Sequence, residues 1–310
     1  MSYKLLSYQA GREARAGLLI GETIYDAAKV TGDPACASVL GALERWTASH
    51  RKFVQVAKRI ATGKSRVKGV PLQRAKLLAP VLYPGAIFCA GANYSDHMDE
   101  MARAQNLPQR KDPRETGFRP WHFIKTSRGS VVPPGATVRM PAWSHKVDWE
   151  VELVAVIGRP AKNVTVDKAL DYVAGYTIGD DLSARDVSRR PQVPDSSPFS
   201  MDWLSQKCFD GSCPLGPWIT PASEIRDPQK LAMKLWVNDE VMQDSNTSKM
   251  IFTTAEQIAQ LSTRVTLQPG DLIMTGTPAG VGMGRGRFLK AGETVRLWIE
   301  SIGELSHTMA

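Results

Sequence analysis

Three acidic residues alternate along a strongly apolar stretch, and this pattern constrains the chain more than any other. In the segment 147–158, the apolar residues and their spacing predict a β-strand. Because side chains alternate between the two faces of a strand, Asp148, Glu150 and Glu152 point to the same side. Carboxylates on one face repel one another and are costly to bury unpaired. A hard divalent cation such as Mg²⁺ or Mn²⁺ would relieve that repulsion, since these ions prefer oxygen ligands. The alternative is a half-exposed strand with an acidic, solvent-facing surface.

Two further segments carry polar residues that suit such a site. The segment 175–186 predicts a short strand that runs into a turn with an acidic pair, of which Asp181 is one member. The segment 91–101 predicts a turn that enters a helix carrying His97 and Glu100. Residues three apart on a helix are neighbours, so these two side chains can touch. A carboxylate beside an imidazole orients a general base and raises its pKa, although similar pairs also decorate exposed helices.

Six motifs follow one another in a fixed order over roughly residues 80–305. They are Gly-x-Asn-Tyr-x-x-His-x-x-Glu (91–100), Asp-Trp-Glu-x-Glu-Leu (148–153), Asp-x-Ser-Ala-Arg-Asp (181–186), Lys207, Pro-Leu-Gly-Pro-Trp (214–218) and Met-Thr-Gly-Thr-Pro-x-Gly-Val-Gly (274–282). Together they resemble the fumarylacetoacetate hydrolase family, and they are specific for the family rather than for one member.

The resemblance implies a fold, a metal and a set of site residues. The implied fold class is α+β, mainly β: a fumarylacetoacetate hydrolase-like mixed β-sandwich roll. The implied cofactor is Mg²⁺ or Mn²⁺, held by the carboxylates of Glu150, Glu152 and Asp181. A dyad of His97 and Glu100 is implied to activate water. Activities in such proteins include C–C bond hydrolysis of acylpyruvates and diketo acids, oxo-acid decarboxylation and dioate isomerisation.

We predict a metal-dependent hydrolase that cleaves a C–C bond in a diketo acid or acylpyruvate. The oxo acid would chelate the metal, His97 and Glu100 would activate water, and the metal would stabilise the departing enolate. An isomerase or decarboxylase of a 2-oxo (di)acid in aromatic or sugar-acid catabolism is the alternative, because a stabilised enolate serves all three reactions. A non-catalytic metal-binding or ligand-binding relative is a third possibility, although this chain keeps both members of the dyad.

Other polar residues are predicted to complete the substrate site. Lys207 is assigned a catalytic role, in which it holds a carboxylate or a developing oxyanion, although a lysine is more often on the surface. Arg185 either binds a substrate carboxylate or pairs with Asp186. Thr277, in a turn flanked by glycines, either donates a hydrogen bond to the substrate or is structural. The predicted substrate-binding residues are Tyr94, Lys125, Arg185 and Thr277.

Two positions depart from the pattern of the family that the chain resembles. Asp180 stands where Asn commonly precedes the third ligand, which would add negative charge near the metal. Ser188 stands where some hydrolases of the family have a substrate-binding Gln. These departures bear on the substrate more than on the metal.

Composition and charge limit the classes of protein to which this chain can belong. The 310 residues are 43% hydrophobic and 23% charged, which suits a small domain, predicted over residues 1–75 as α/β, followed by a catalytic domain over 80–310. No apolar run approaches the length of a membrane span, and the net charge of +8 accompanies no recognisable nucleic-acid-binding module. Four cysteines give no disulfide framework or zinc site, and Met1–Tyr8 lacks a signal-peptide core. We expect a cytoplasmic homodimer that acts on a small anionic oxo acid, with no nucleic-acid or membrane partner.

Local patterns predict several elements. Expected are strands at Tyr3–Tyr8, Ala16–Ile20 and Thr23–Asp26, helices at Ala35–Ala48 and His50–Thr62, a connector at Lys64–Lys68, a hairpin turning at Asn238–Asp239, and a helix capped by Thr253 and Glu256. Residues 102–119 and 189–200 are predicted to be long loops, which are either plain connections or lids over the site. Basic residues in the first loop would attract an anionic substrate: Arg103, Arg110, Lys111, Arg114 and Arg119.

Overall fold

The computed structural model describes residues 2–64, 67–104, 108 and 112–310. Its strands are β1 (Lys4–Ala10), β2 (Glu13–Ile20), β3 (Thr23–Asp26), β4 (Val70–Pro71), β5 (Leu77–Leu78), β6 (Ile87–Ala90), β7 (His122–Lys125), β8 (Val131–Val132), β9 (Ala136–Val138), β10 (Val147–Asp148), β11 (Val151–Ile157), β12 (Val173–Asp180), β13 (Ser183–Ala184), β14 (Cys213–Pro221), β15 (Ala232–Val237), β16 (Glu240–Asn246), β17 (Leu272–Met274), β18 (Thr294–Ile299) and β19 (Gly303–Met309).

The helices are fewer and mostly short. The α-helices are α1 (Ala27–Thr31), α2 (Val39–Glu44), α3 (Trp46–Ala61), α4 (Ser95–Ala104), α5 (Trp203–Lys207), α6 (Thr254–Arg264) and α7 (Gly282–Arg285). Short 3₁₀ helices cover Pro34–Ala37, Leu72–Arg74, Val166–Tyr172, Arg185–Val187, Ala222–Glu224 and Thr247–Lys249. Within the described ranges, no helix is long and apolar enough to cross a membrane.

Two sheets form the body of the fold. In the part of the chain that the structure describes, the larger is twelve-stranded, with the order β4-β3-β2-β1-β14-β12-β11-β17-β6-β7, and β5 and β8 pair with β1 and β14. The smaller has the order β16-β15-β18-β19-β9 and packs on β11, β12 and β14. β10 and β13 form a separate two-stranded ladder. Strand β11 therefore lies in the centre of the larger sheet.

The central strand β11 is buried on both faces. Leu153 and Ala155 belong to the core that includes the smaller sheet, whereas Val154 and Val156 belong to the core that includes the N-terminal helices. A strand covered on both sides is apolar at nearly every position, which explains the apolar run from Leu153 to Ile157. The alternative of a half-exposed acidic strand is therefore wrong. The predicted strand is also broken, because β10 ends at Asp148 and β11 begins at Val151.

The N-terminal segment joins the larger sheet directly. β1 pairs antiparallel with β14 through Leu5 and Ile219, and the three strands predicted before residue 27 are confirmed. The predicted break between two helices lies at Arg45, whose ψ of 32° is not helical, rather than near residue 49. The division into two domains stays a prediction, since the segments share one sheet. The predicted connector includes residues 65–66, which lie outside the described residues.

Two local predictions are confirmed in detail. The hairpin of β15 and β16 turns at Asn238, whose φ of 55° lies in the left-handed region that Asn tolerates. Helix α6 begins with a reciprocal capping box: the side chain of Thr253 accepts from the backbone N–H of Glu256, and that of Glu256 accepts from the N–H of Thr253. Both features depend only on neighbouring residues.

Candidate metal centre and active site

Strand ends bring the predicted ligands together. Glu150 precedes β11, Glu152 is its second residue, and Asp181 follows the last residue of β12. The antiparallel register pairs Val151 with Asp180, so the start of one strand meets the end of the other. Two hydrogen bonds from backbone N–H groups fix this corner: the N–H of Asp181 donates to the carbonyl of Glu150 at 3.0 Å, and the N–H of Glu150 donates to the side-chain Oδ1 of Asp180 at 2.8 Å.

Glu150, Glu152 and Asp181 form a compact carboxylate cluster, here called the triad. One carboxylate oxygen from each residue lies within 4.8 Å of the other two. Glu150 is 5% exposed and Glu152 is 1% exposed. Burial and the charges of Asp181 and Glu150 raise the pKa of Glu152 well above its usual value. A bound divalent cation would remove this repulsion, so the donor set fits Mg²⁺ or Mn²⁺.

Asp148 lies outside the triad despite its position two residues before Glu150. Its oxygens accept from the backbone N–H groups of Gly282 at 2.6 Å and Met283 at 3.0 Å, and from Nε of Arg185 at 2.8 Å. Asp148 therefore fastens the first turn of α7 to the site. Arg185 also donates to Glu150, so Asp148 lies near that carboxylate although it is not one of the three that could share an ion.

Buried cations face the triad. Nζ of Lys207 lies 3.0 Å from Oε2 of Glu150 and 2.7 Å from Oδ2 of Asp181, and Arg185 donates to Oε1 of Glu150. Burial alone would lower the pKa of Lys207, but the charges of Asp181 and Glu150 raise it above its usual value. Burial would likewise raise the pKa of Glu150, whereas Lys207 and Arg185 lower it to about 2. These two cations therefore favour the ionised form of Glu150, whereas the pKa of Glu152 stays raised.

The structure gives partners to two of the basic residues that were predicted to bind substrate. The side chain of Lys125 is fully buried, and its Nζ lies 2.6 Å from Oδ1 of Asp181, so it holds a triad residue instead of lining the cavity. Arg185 does not pair with Asp186, because Asp186 accepts from Oγ of Ser144 at 2.5 Å and from the N–H of His145 at 2.8 Å. Arg185 instead lines the cavity while bound to two carboxylates.

A cavity of about 170 Å³ opens beside the triad. Its walls include Glu150, Lys207, Arg185, His97 and Thr277. Part of the wall is aromatic, a feature that the sequence reasoning missed: Trp203 stacks on Phe123 with ring centroids 5.1 Å apart and meets Trp121 edge-on at 5.4 Å. The only available signal was the run of aromatic residues at 121–123. A wall that combines charged and aromatic side chains suits a small anion with an unsaturated carbon skeleton.

The predicted neighbours His97 and Glu100 are adjacent on α4, and His97 lines the cavity. Nδ1 of His97 lies 3.6 Å from Oε2 of Glu100, which is beyond hydrogen-bond distance. Both oxygens of Glu100 accept instead from the N–H of Gly280 at 3.0 Å. Asp96 fixes the same helix, since it accepts from Oγ of Ser245 at 2.8 Å. The contact is confirmed, but a hydrogen-bonded dyad is not formed.

Two predicted substrate-binding residues have structural partners. Tyr94 is fully buried in the core, and its hydroxyl contacts Sδ of Met233 at 3.3 Å, so it does not reach the cavity wall. Thr277 lines the cavity, but its hydroxyl donates to the carbonyl of Val151 at 3.0 Å and accepts from Nε2 of Gln243 at 2.9 Å. Only its backbone is left for the predicted contact with a substrate.

The departures at positions 180 and 188 have local explanations. Asp180 pairs with Nε2 of His307 at 2.7 Å, and both side chains are fully buried. The other oxygen of Asp180, Oδ1, accepts from the N–H of Glu150 at 2.8 Å, so the expectation of extra negative charge near the metal stays a prediction. Oγ of Ser188 donates to the carbonyl of Arg185 at 3.0 Å and stabilises the turn that carries that arginine.

The two predicted loops differ in how they relate to the site. In the first, Arg110 and Lys111 lie outside the described residues, and Arg114 pairs with Glu256 at 2.8 Å instead of facing a substrate. Residues 189–200 are mostly exposed turns, joined at their base by a bridge between Arg189 and Met201. Whether either loop is a lid stays a prediction.

Comparison with known proteins places this geometry among related folds. A family model described as fumarylacetoacetate (FAA) hydrolase C-terminal matches residues 86–310. The mitochondrial oxaloacetate tautomerase fahd2 of Xenopus laevis is 41% identical over 233 residues, which cover 74% of this chain and 67% of that protein.

Solved structures agree over nearly the whole chain. The fumarylacetoacetate hydrolase of the psychrophile Exiguobacterium antarcticum has a TM-score of 0.76 and 29% identity, with 99% of both chains covered. Maleylpyruvate hydrolase from a Sphingobium species, in complex with manganese(II) and pyruvate, has a TM-score of 0.74 and 27% identity, with 99% of this chain and 98% of that chain covered. The predicted fold class, α+β and mainly β, is confirmed.

Proposed function

Because this chain belongs to the fumarylacetoacetate hydrolase family, we propose that it is a divalent-metal-dependent isomerase that interconverts the keto and enol forms of a 2-oxo acid. Oxaloacetate is the first substrate to test, since relatives at about 40% identity are named oxaloacetate tautomerases. The sequence alone favoured C–C bond hydrolysis and left isomerisation as the alternative. We now favour isomerisation.

One observation carries the proposal: a charged wall and an unpaired imidazole face the same small cavity. Keto–enol exchange requires a group that moves a proton at the carbon beside the carbonyl, together with positive charge that stabilises the enolate. His97 is placed for the first task, and Lys207 and Arg185 supply positive charge beside the triad. Nδ1 of His97 has no hydrogen-bond partner among the described residues. This arrangement favours a single proton-transferring imidazole over a dyad that activates water.

The other residues around the cavity have separate roles in the proposed reaction. Glu150, Glu152 and Asp181 would hold Mg²⁺ or Mn²⁺, which supplies Lewis-acid polarisation of the oxo-acid oxygens when bound. Lys207 and Arg185 would attract the substrate carboxylate, and their ion pairs with Glu150 favour its ionised form. Nδ1 of His97 is buried, so its Nε2 is the atom that exchanges a proton with the substrate.

Hydrolysis of an acylpyruvate is the second candidate. It is favoured by the 3.6 Å separation of His97 and Glu100, because a small approach would create the hydrogen bond that orients a general base. The similarity to maleylpyruvate hydrolase supports the same reaction class. Decarboxylation of an oxo acid requires the same enolate stabilisation but no attacking water.

The experiment is a direct comparison of substrates on metal-loaded protein. Ketonisation of enol-oxaloacetate is followed by absorbance, and acylpyruvate cleavage and oxaloacetate decarboxylation by product analysis, before and after removal of metal with a chelator. His97→Asn should lose the ketonisation activity, whereas His145→Asn, an exposed histidine away from the cavity, should retain it. Cleavage without accelerated ketonisation would make the protein a hydrolase, and inactivity on every substrate would favour a ligand-binding role.

Assembly and location belong to the proposal as well. We expect a homodimer, which light scattering can measure. We expect a cytoplasmic location, although the oxaloacetate tautomerase relatives are named as mitochondrial. Cell fractionation would distinguish the two compartments.

A further inference from the structure

A second, larger cavity adjoins the one beside the triad. It has a volume of about 430 Å³ and is here called the annex; its walls include Ala92, Met98, Phe118, Trp121 and Phe252. These side chains are apolar, and Arg119 is the charged residue on the described part of the lining. A space of this size with such walls is typical of sites that bind apolar groups of small molecules.

The annex and the smaller cavity meet at one turn. Both are lined by Gly91, Ala92 and Trp121, so these residues form the boundary between them. A Cβ atom at Gly91 would lie 1.9 Å from the indole of Trp121, so only glycine allows this ring to lie directly over the turn. A molecule that extends from the triad into the annex would lie against Trp121.

The two cavities differ in the chemistry that they accept. Carboxylates and cations line the smaller one, which suits the polar head of an oxo acid. The annex offers aromatic rings and a thioether, which suit alkyl or aryl carbon. Oxaloacetate is too short and too polar to use this space, because its far end is a carboxylate. The annex has no role in the reaction of so small a substrate.

We infer that the annex is a subsite for an apolar substituent, and that the substrate is a 2-oxo acid with an alkyl or aryl arm at the end far from the chelating oxygens. The inference rests on the proposed function, which places the oxo-acid head beside the triad. Trp121 is the specificity-determining residue at the boundary, and Phe118 and Phe252 contact the arm.

The test uses N-alkyl oxamates, which present adjacent oxygens like those of a 2-oxo acid and do not undergo its chemistry. N-methyl, N-butyl and N-hexyl oxamate are titrated into the full-length protein loaded with Mn²⁺, and calorimetry gives each Kd. Burial of each added methylene in an apolar site should tighten binding by up to about fourfold. We expect affinity to rise along the series once the chain passes Trp121.

Two matched variants identify where the chain binds. Phe118 lines the annex and is 65% exposed, whereas Phe199 is 67% exposed and lies outside the described linings of both cavities. Phe118→Ala should weaken binding of N-hexyl oxamate at least threefold and leave N-methyl oxamate unchanged. Phe199→Ala should change neither value.

The outcomes distinguish failure of the annex as a subsite from failure of the proposed function. If N-methyl oxamate binds only with Mn²⁺ but longer chains bind no better, or improve equally in Phe118→Ala, the annex is not a substrate subsite and the proposed function stands. If no oxamate binds, or binding is the same without Mn²⁺, the placement of the oxo-acid head fails and the inference fails with it.

Discussion

Replacing Glu152 by glutamine should stabilise the metal-free protein while removing its response to metal. Glu152 is the least compensated member of the triad: the backbone N–H of Gly276, at 2.7 Å, is its hydrogen-bond donor in the described structure. Like charges within 4.8 Å of each other repel by at least about 3 kcal/mol at an effective dielectric constant of about 20. Glutamine keeps an acceptor for Gly276 and removes the charge. Since Lys207 and partial protonation already offset some repulsion, we expect a gain of about 1–3 kcal/mol at neutral pH.

The pH dependence has a definite sign. The pKa of Glu152 is raised in the folded state, so its contribution to stability is full below the unfolded-state pKa and is lost as pH rises through the folded-state pKa. The advantage of Glu152→Gln should therefore be absent at acid pH, where the wild-type carboxyl is neutral in both states. It should grow as pH rises.

Denaturant unfolding of chelator-treated protein, with and without Mn²⁺, measures both effects. At a free Mn²⁺ concentration a hundred times Kd, the wild type should gain about 2.7 kcal/mol, and Glu152→Gln should gain little. Glu300→Gln is the control, because Glu300 also accepts a backbone N–H, from Ala232 at 3.1 Å, but lies away from the triad. A variant less stable than wild type without metal, or equally stabilised by Mn²⁺, would refute the reasoning.

Three further predictions concern the same site. His97→Asn should lower turnover by roughly two to four orders of magnitude, the range for loss of a general base, while calorimetry shows unchanged Mn²⁺ affinity. Binding of Mn²⁺ should release protons and tighten as pH rises, because the raised pKa of Glu152 makes metal and proton compete; titration in buffers of different ionisation enthalpy measures this, and equal heats would contradict it. Hydrogen exchange over 112–119 should slow when Mn²⁺ and oxalate bind if the segment is a lid, and unchanged exchange would leave it an ordinary loop.

The sequence by itself determined the acidic cluster and the local turns. The alternation of side chains along a strand and the order of the motifs point to Glu150, Glu152 and Asp181, which the fold brings within 4.8 Å. The hairpin at Asn238 and the capping box at Thr253 depend on residues within a few positions of one another. Such features are set by short-range geometry, which is the same whatever surrounds them.

Only the tertiary structure decided which partners the remaining polar residues take. Lys125 meets Asp181 across 56 positions of the chain, and Asp180 meets His307 across 127. A lysine or an aspartate can satisfy its charge with many partners, so its role depends on which strands become neighbours. The same applies to Tyr94, which packing places in the core. Because a buried charge is tolerated only where long-range packing supplies its partner, this part of the site follows from the assembled sheets and not from the local sequence.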